Sequence, residues 1–127
     1  MTTHVLFLCP HSAGKSVSAA TYFRAAAARL DVDAIADVAG TDPDDGIMPN
    51  VQAAIEAQGF AITDTPRTVS SADVERADIV VSIGCDHSDV PAESIVEWDV
   101  PMLSDDFNAS MNAIHDHAEA LATSLQT

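Results

Sequence analysis

Three residues near the start of the chain have types and spacing suited to thiol chemistry on an anion. Cys9 supplies a thiol, Lys15 is the only lysine of the chain, and Ser16 follows it directly. Thiols beside a cation and a helix N-terminus have lowered pKa values, and the thiolate is the nucleophilic form. We therefore predict Cys9 as a nucleophile, Lys15 as the cation that holds an anion, and Ser16 as a hydroxyl donor to the sulfur.

The residues around this loop predict the strand and the helix that position it. Residues 5–8 are apolar throughout, which is typical of a strand buried on both faces of a parallel sheet. Ser16 also suits the N-cap of a helix that continues to about Arg29. The first N–H groups of a helix have no internal partner and lie at the positive end of its dipole, so we predict an oxyanion site here. The residues predicted to bind the oxyanion are Pro10, His11, Ser12, Ala13, Gly14, Lys15 and Ser16.

The rest of the chain alternates between predicted strands and helices. Further strands are predicted at residues 32–38, 78–84 and 95–98. Helices are predicted at about 49–58, at 72–77 and from residues 104–106 onward. This alternation predicts an α/β fold, a single doubly wound domain over residues 1–127 with a parallel sheet. Ligands of such sheets bind at the carboxyl ends of the strands, where Cys9 and Cys85 both lie.

The composition limits the partners and the location that we expect. The chain has 20 acidic and 5 basic residues and a net charge of −15, so we expect neither nucleic acid nor a membrane as a partner. A basic–apolar leader and a long apolar run are both missing from the sequence, which predicts a cytoplasmic protein. Two cysteines are too few for a disulfide framework, so we predict reduced thiols.

The loop and several later motifs resemble the low-molecular-weight protein tyrosine phosphatases and the arsenate reductases built on the same fold. The loop carries cysteine, five residues, a basic residue and serine directly after a buried strand. The looser similarities are Ala39-Gly40-Thr41, the stretch from Pro49 to Phe60, residues 77–85 and Trp98-Asp99-Val100-Pro101. The resemblance covers nearly the whole chain and implies a four-stranded sheet of order 2-1-3-4 with helices on both faces.

The resemblance also implies a reaction. Cys9 would attack arsenic or phosphorus while the loop amides and Lys15 hold the equatorial oxygens. The Gly-Lys-Ser ending of the loop is most similar to the reductase branch that uses mycothiol, so arsenate reduction is the favoured function and phosphomonoester hydrolysis the second. We expect a small oxyanion substrate and no tightly bound cofactor. The reductant would be an external thiol of the mycothiol, glutathione or thioredoxin type, so a redox protein is an expected partner.

The sequence departs from the family pattern in three places. Lys15 replaces the usual arginine, whose fork binds two oxygens at once. The late Asp-Pro pair, whose aspartate protonates the leaving group, is absent; Asp105 or Asp106 could supply this acid, although both suit the start of the last helix. Gly14 stands where tyrosine phosphatases often have a second cysteine. A non-catalytic relative that binds an oxyanion therefore stays open.

Cys85 resembles the resolving cysteine of thioredoxin-coupled reductases, which pass the disulfide on to a third cysteine. This chain has no third cysteine. A disulfide between Cys9 and Cys85, or attack on Cys9 by an external thiol, would each complete a turnover. Cys85 as a small apolar residue that closes a strand is the other interpretation.

The sequence also leaves open a nucleotide-binding site and a zinc site. The Gly-Lys-Ser triplet is close to a nucleotide-binding signature, although Cys9 takes the place of its first glycine. The pairs Cys9-x-His11 and Cys85-x-His87 contain the four donors that a zinc ion accepts. His115 and His117 lie two apart on the last predicted helix, and we expect both to be solvated.

Overall fold

The computed structural model of the protein describes residues 2–84 and 95–126, which form four strands and four helices. The elements in chain order are β1 (Thr3–Leu8), α1 (Lys15–Arg29), β2 (Ala34–Ala39), α2 (Pro49–Ala57), α3 (Ser71–Arg76), β3 (Ile79–Ser82), β4 (Ile95–Glu97) and α4 (Phe107–Ser124).

The strands form one parallel sheet in the order β2-β1-β3-β4, which confirms the expected 2-1-3-4 order. In the two pairings of β1, Phe7 lies beside Val38 on one side and Val81 on the other. Because all neighbouring strands run the same way, their carboxyl ends meet at one edge of the sheet. The loop that follows β1 therefore lies at the ligand-binding edge of a doubly wound sheet.

Both faces of β1 are buried, which explains its uninterrupted apolar sequence. Alternate side chains of a strand point to opposite faces. Val5 and Phe7 pack in a cluster with residues of α1, α2 and α4, whereas Leu6 and Leu8 pack with Val74 of α3 on the other face. The helices therefore cover both faces of the sheet, as expected.

Several strand boundaries differ from those predicted. The strand predicted at 32–38 is β2 at Ala34–Ala39, because the chain first completes a turn after α1. Asp31 has a left-handed φ of 57°, and the N–H of Val32 donates to the Ala27 carbonyl at 2.8 Å. The strands predicted at 78–84 and 95–98 are also shorter, spanning Ile79–Ser82 and Ile95–Glu97.

The last helix and its histidines also depart from the prediction. α4 begins at Phe107, after an N-cap at Asp106 whose side chain accepts a hydrogen bond from the Ala109 N–H at 3.1 Å. His115 and His117 are half-buried against aromatic rings rather than solvated. The His115 ring meets Tyr22 edge-on and the His117 ring stacks on Trp98, each at a centroid distance of 5.0 Å.

Candidate active site

Cys9 is the first residue after β1, so the sheet fixes its position at the ligand-binding edge. Its N–H donates to the Ala39 carbonyl at 3.4 Å, and the residue is only 4% exposed. The Sγ atom lies 3.1 Å from Ser16 Oγ in a buried hydrogen bond. When the sulfur is a thiolate, the hydroxyl is the donor, and this bond stabilises the negative charge.

Helix α1 begins at Lys15, and the N-cap is Gly14, with no side chain capping the helix. The predicted capping function of Ser16 is therefore wrong, because Ser16 lies inside the first turn. Its hydroxyl contacts the Cys9 sulfur, which is the second function that the sequence indicated. The first N–H groups of α1 are consequently left without a side-chain cap.

The carbonyl groups of the loop are bound by the segment that follows β2. The N–H of Asp42 donates to the Pro10 carbonyl at 2.8 Å, and the N–H of Asp44 to the His11 carbonyl at 2.9 Å. The N–H of Met48 donates to the Ala13 carbonyl at 3.0 Å. The part of the chain that the structure describes provides no acceptor for the backbone N–H groups of residues 11–16. These amides are available to an anion.

Gly40 allows that segment to approach the loop closely. A Cβ atom at position 40 would lie 2.6 Å from the Pro10 carbonyl oxygen and 2.8 Å from that of Cys9. The Gly40 N–H donates to the Arg67 carbonyl at 2.9 Å, which holds the segment from behind. This contact explains why glycine is needed in the Ala39-Gly40-Thr41 motif.

Ser12 has the least favourable backbone in the loop. Its φ is 52°, in the left-handed region that serine rarely enters, and the residue is fully buried. Its Oγ atom has no hydrogen-bond partner among the residues described. Strained backbone and unpaired buried polar atoms concentrate at functional sites, which favours this loop as the active site.

Lys15 has no ion-pair partner within residues 2–84 and 95–126, whereas each arginine has one. Its Nζ atom lies beside Gly84. A Cβ atom at position 84 would be only 2.7 Å from this nitrogen. The arginine pairs are Arg24 with Asp64, Arg29 with Glu119, Arg67 with Asp73, and Arg76 with Asp37 and Asp73. Among the lysine and arginine residues that the structure describes, Lys15 is therefore the one without a carboxylate partner.

A cavity of about 270 Å³ opens above the loop and contains two kinds of surface. Cys9 and Lys15 supply the chemically active lining residues. Met48, Met102 and Leu103 supply apolar lining. The complete lining is Cys9, Pro10, His11, Gly14, Lys15, Met48, Gly84, Met102, Leu103 and Ser104. Its size suits a small oxyanion with room for an attached group or an attacking thiol.

The loop residues predicted from the sequence occupy two layers. Pro10, His11 and Gly14 line the cavity, whereas Ser12 and Ala13 are buried and contribute backbone groups. The exposed ring of His11 has Nδ1 at 3.0 Å from the Asp42 carbonyl oxygen. Gly14 is covered by side chains, since a Cβ atom there would lie 2.8 Å from both Met48 Sδ and Leu103 Cδ1.

The other predicted site residues are not brought into the cavity. Asp105 is exposed, its N–H donates to the Met102 carbonyl at 3.1 Å, and it is not among the lining residues. Asp106 caps α4. Cys85 and His87 lie outside the described residues.

Five lining residues were not indicated by the sequence: Met48, Gly84, Met102, Leu103 and Ser104. They come from the segment before α2, the end of β3 and the turn before α4. Their residue types carry no chemical signal, so only their position in the fold identifies them.

The described ranges contain neither a metal-ligand cluster nor a membrane-spanning helix. No group of three or more histidine, cysteine, aspartate or glutamate side chains there could hold a metal ion. None of the helices in residues 2–84 and 95–126 has the length and apolar character needed to cross a bilayer.

The chain has relatives among phosphatases and arsenate reductases. Residues 4–105 match the sequence profile of the family described as low molecular weight phosphotyrosine protein phosphatase. A candidate arsenate reductase of Halobacterium salinarum is 30% identical over 97 residues, which cover 74% of this chain and 68% of the relative. The family match is to phosphatases and not to a nucleotide-binding family.

Solved structures share the fold over nearly the whole chain. A thioredoxin-dependent arsenate reductase of Corynebacterium glutamicum has a TM-score of 0.83 and 24% identity, over 98% of this chain and 62% of that protein. The chain therefore spans less than two thirds of that reductase. The arginine phosphatase YwlE of Bacillus subtilis has a TM-score of 0.88 and 16% identity, over 98% of this chain and 97% of that protein. A protein tyrosine phosphatase of Entamoeba histolytica has a TM-score of 0.84 and 18% identity, over 95% of this chain and 94% of that protein.

Proposed function

The chain belongs to the low molecular weight phosphotyrosine protein phosphatase family, and from this premise we propose that it is an arsenate reductase. The observation that carries the proposal is the combination found at one edge of the sheet. The Cys9 sulfur, unpaired loop amides and the Lys15 ammonium group all belong to one small cavity. Such an arrangement holds a tetrahedral oxyanion against a sulfur nucleophile.

In the first step the Cys9 thiolate attacks arsenic(V). A bond forms between Sγ and arsenic as one As–OH bond of dihydrogen arsenate breaks, and the departing hydroxide takes the proton of the second As–OH group and leaves as water. The loop N–H groups and Lys15 bind the remaining oxygens and stabilise their charge. As the sulfur gives up its charge to the new bond, the Ser16 hydroxyl is released from it.

In the second step a thiolate attacks Sγ of the adduct. The new S–S bond forms as the S–As bond breaks, and the electron pair of that bond stays on arsenic. Arsenic(V) is thereby reduced to arsenic(III), and two thiols are oxidised to one disulfide. The attacking thiol is Cys85 or an external thiol of the mycothiol, glutathione or thioredoxin type, and a further thiol restores Cys9. Because this cycle consumes reduced thiols, we propose a cytoplasmic location, where thiols are kept reduced.

Two observations favour arsenate over a phosphate ester. No carboxylate of the described residues lines the cavity, so a donor of the proton that an alkoxide or phenoxide leaving group needs is missing there. The relative at 30% identity is a candidate arsenate reductase. Hydrolysis of a phosphomonoester through a phosphocysteine is the second candidate, with Asp105 as its proposed acid. A non-catalytic oxyanion-binding protein is the third.

A turnover assay separates these three functions. Purified protein is incubated with arsenate and either mycothiol, glutathione or a thioredoxin system, and arsenite formation is measured. A second assay follows hydrolysis of p-nitrophenyl phosphate. We expect arsenite formation with at least one thiol, and a loss of about 10³-fold or more in Cys9→Ser, because the nucleophile is removed.

Each outcome of the assay decides one point. Ester hydrolysis without arsenite formation would overturn the reductase in favour of the phosphatase. Neither activity, with oxyanion binding intact, would favour the non-catalytic relative. The matched variant Cys85→Ser keeps turnover if the external thiol attacks Cys9 directly and loses it if Cys85 is the resolving thiol.

A further inference from the structure

Gly84 lies two residues after β3, where it lines the cavity beside the Lys15 ammonium group. A Cβ atom at position 84 would lie 2.7 Å from Lys15 Nζ, which is closer than non-bonded atoms approach. We propose that Gly84 is a positioning residue: by lacking a side chain it leaves open the space that the ammonium group occupies, and so sets where this cation meets the oxyanion. This inference rests on the proposed function of the site.

The sheet fixes position 84 next to the loop. Ser82 lies beside Leu8 in the pairing of β3 with β1, and the N–H of Ile83 donates to the Leu8 carbonyl at 2.8 Å. The chain after β3 is thus tied to the residue that precedes Cys9. Lys15 begins α1, Cys9 follows β1 and Gly84 follows β3, and all three residues line one cavity.

Gly84 differs in this respect from the other glycines of the chain. At Gly40 the atoms that exclude a Cβ are backbone carbonyls, and at Gly14 they are apolar side chains. At Gly84 the excluding atom is the charged end of a flexible side chain. A methyl group at position 84 would therefore displace the ammonium group rather than the backbone. The expected loss is in anion affinity, in addition to the backbone strain that alanine causes at the left-handed φ of position 84.

Gly59 provides a matched control for backbone strain. Both residues have a left-handed φ, +67° at Gly84 and +88° at Gly59, so alanine is strained at either position. A Cβ atom at Gly59 would meet nothing within 4 Å. Comparing the two alanine variants separates the effect of strain from the effect of displacing Lys15.

The test measures how arsenate and phosphate protect Cys9 from alkylation by iodoacetamide. The proteins are the unsubstituted chain, Gly84→Ala, Gly59→Ala, Lys15→Met and the double variant Gly84→Ala with Lys15→Met. We expect Gly84→Ala to raise the arsenate concentration for half-protection about tenfold, since a hydrogen bond to a charged group is weakened. Gly59→Ala should leave that concentration unchanged. Adding Gly84→Ala to Lys15→Met should cause no further loss, because the displaced group is already gone.

Two results would overturn the positioning function. One is half-protection of Gly84→Ala at the same concentration as the unsubstituted chain. The other is an equal loss from Gly84→Ala with and without Lys15. If arsenate fails to protect Cys9 even in the unsubstituted chain, the proposed function itself is overturned, and the positioning function with it. Gly84→Asn is the second variant, because asparagine adds the same Cβ atom and enters the left-handed region more readily than alanine.

Discussion

The starts of α1 and α3 both lie in loops rich in polar groups, but only the N-terminus of α3 is capped by a side chain. At α3 the Ser70 side chain accepts from the Asp73 N–H, and the Asp73 carboxylate accepts from the Ser70 N–H at 2.9 Å. At α1 the N-cap is Gly14 and no side chain caps the helix. One N-terminus is closed by its own residues and the other is left open.

The charged groups near the two helices show the same contrast. Asp73 is 4% exposed and is bound by the guanidinium groups of Arg67 and Arg76 at 2.7 and 3.0 Å. The hydrogen bonds from Arg67 are the main cause that lowers the pKa of Asp73 to about 2. Lys15 has no carboxylate partner within the described residues. At α3 the polar groups therefore stabilise the fold, whereas at α1 they stay available, as the proposed oxyanion site requires.

Removing one cation from each helix should separate affinity from stability. Lys15→Met should raise the dissociation constants of arsenate and phosphate about 10–100-fold, since one charge-assisted contact is lost, and change the free energy of unfolding by less than about 0.5 kcal/mol. Arg67→Met should leave both dissociation constants unchanged and destabilise the fold by about 1–2 kcal/mol, because Asp73 stays buried with one arginine fewer. Calorimetric titration and urea unfolding measure the two quantities. If Lys15→Met and Arg67→Met changed the dissociation constants and the free energy of unfolding equally, the two helix N-termini would not differ in function as proposed.

The pH dependence of unfolding should sharpen the contrast further. Because the pKa of Asp73 is lowered in the folded state, its stabilising effect is fully present above its ordinary pKa of 3.8 and is lost as the pH falls toward about 2. Asp73→Asn should therefore destabilise the fold by about 1–2 kcal/mol near pH 7, and by progressively less below about pH 4. Urea unfolding from pH 7 to pH 2 measures this difference. Glu75→Gln, an exposed change in the same helix, is the control and should show no such trend.

The elements around the nucleophile were predictable because each leaves a strong local pattern. An apolar run of residues 5–8 marks a strand buried on both faces, and the loop after it carries the thiol and the only lysine. The parallel sheet then follows from the alternation of strands and helices. The family resemblance supplied the order of the strands.

The remaining features depend on contacts between distant segments, which local patterns do not encode. Ser16 looks like an N-cap in the sequence, but the N-cap is Gly14, two residues earlier, and the Ser16 hydroxyl contacts the Cys9 sulfur. Met48 and Leu103 cover Gly14 only once α2 and the turn before α4 are packed. His117 is half-buried by stacking on Trp98, a residue nineteen positions away in sequence that the fold brings alongside.

The measurement that tests the central claim most directly is the rate of Cys9 alkylation with and without arsenate. It is made in a Cys85→Ser variant, so that one thiol reacts. We expect arsenate to slow the alkylation in proportion to its occupancy of the cavity, phosphate to do the same, and Lys15→Met to weaken both effects. An alkylation rate of Cys9 that is the same at every arsenate concentration would contradict the claim that the open N-terminus of α1 holds an oxyanion against the thiol.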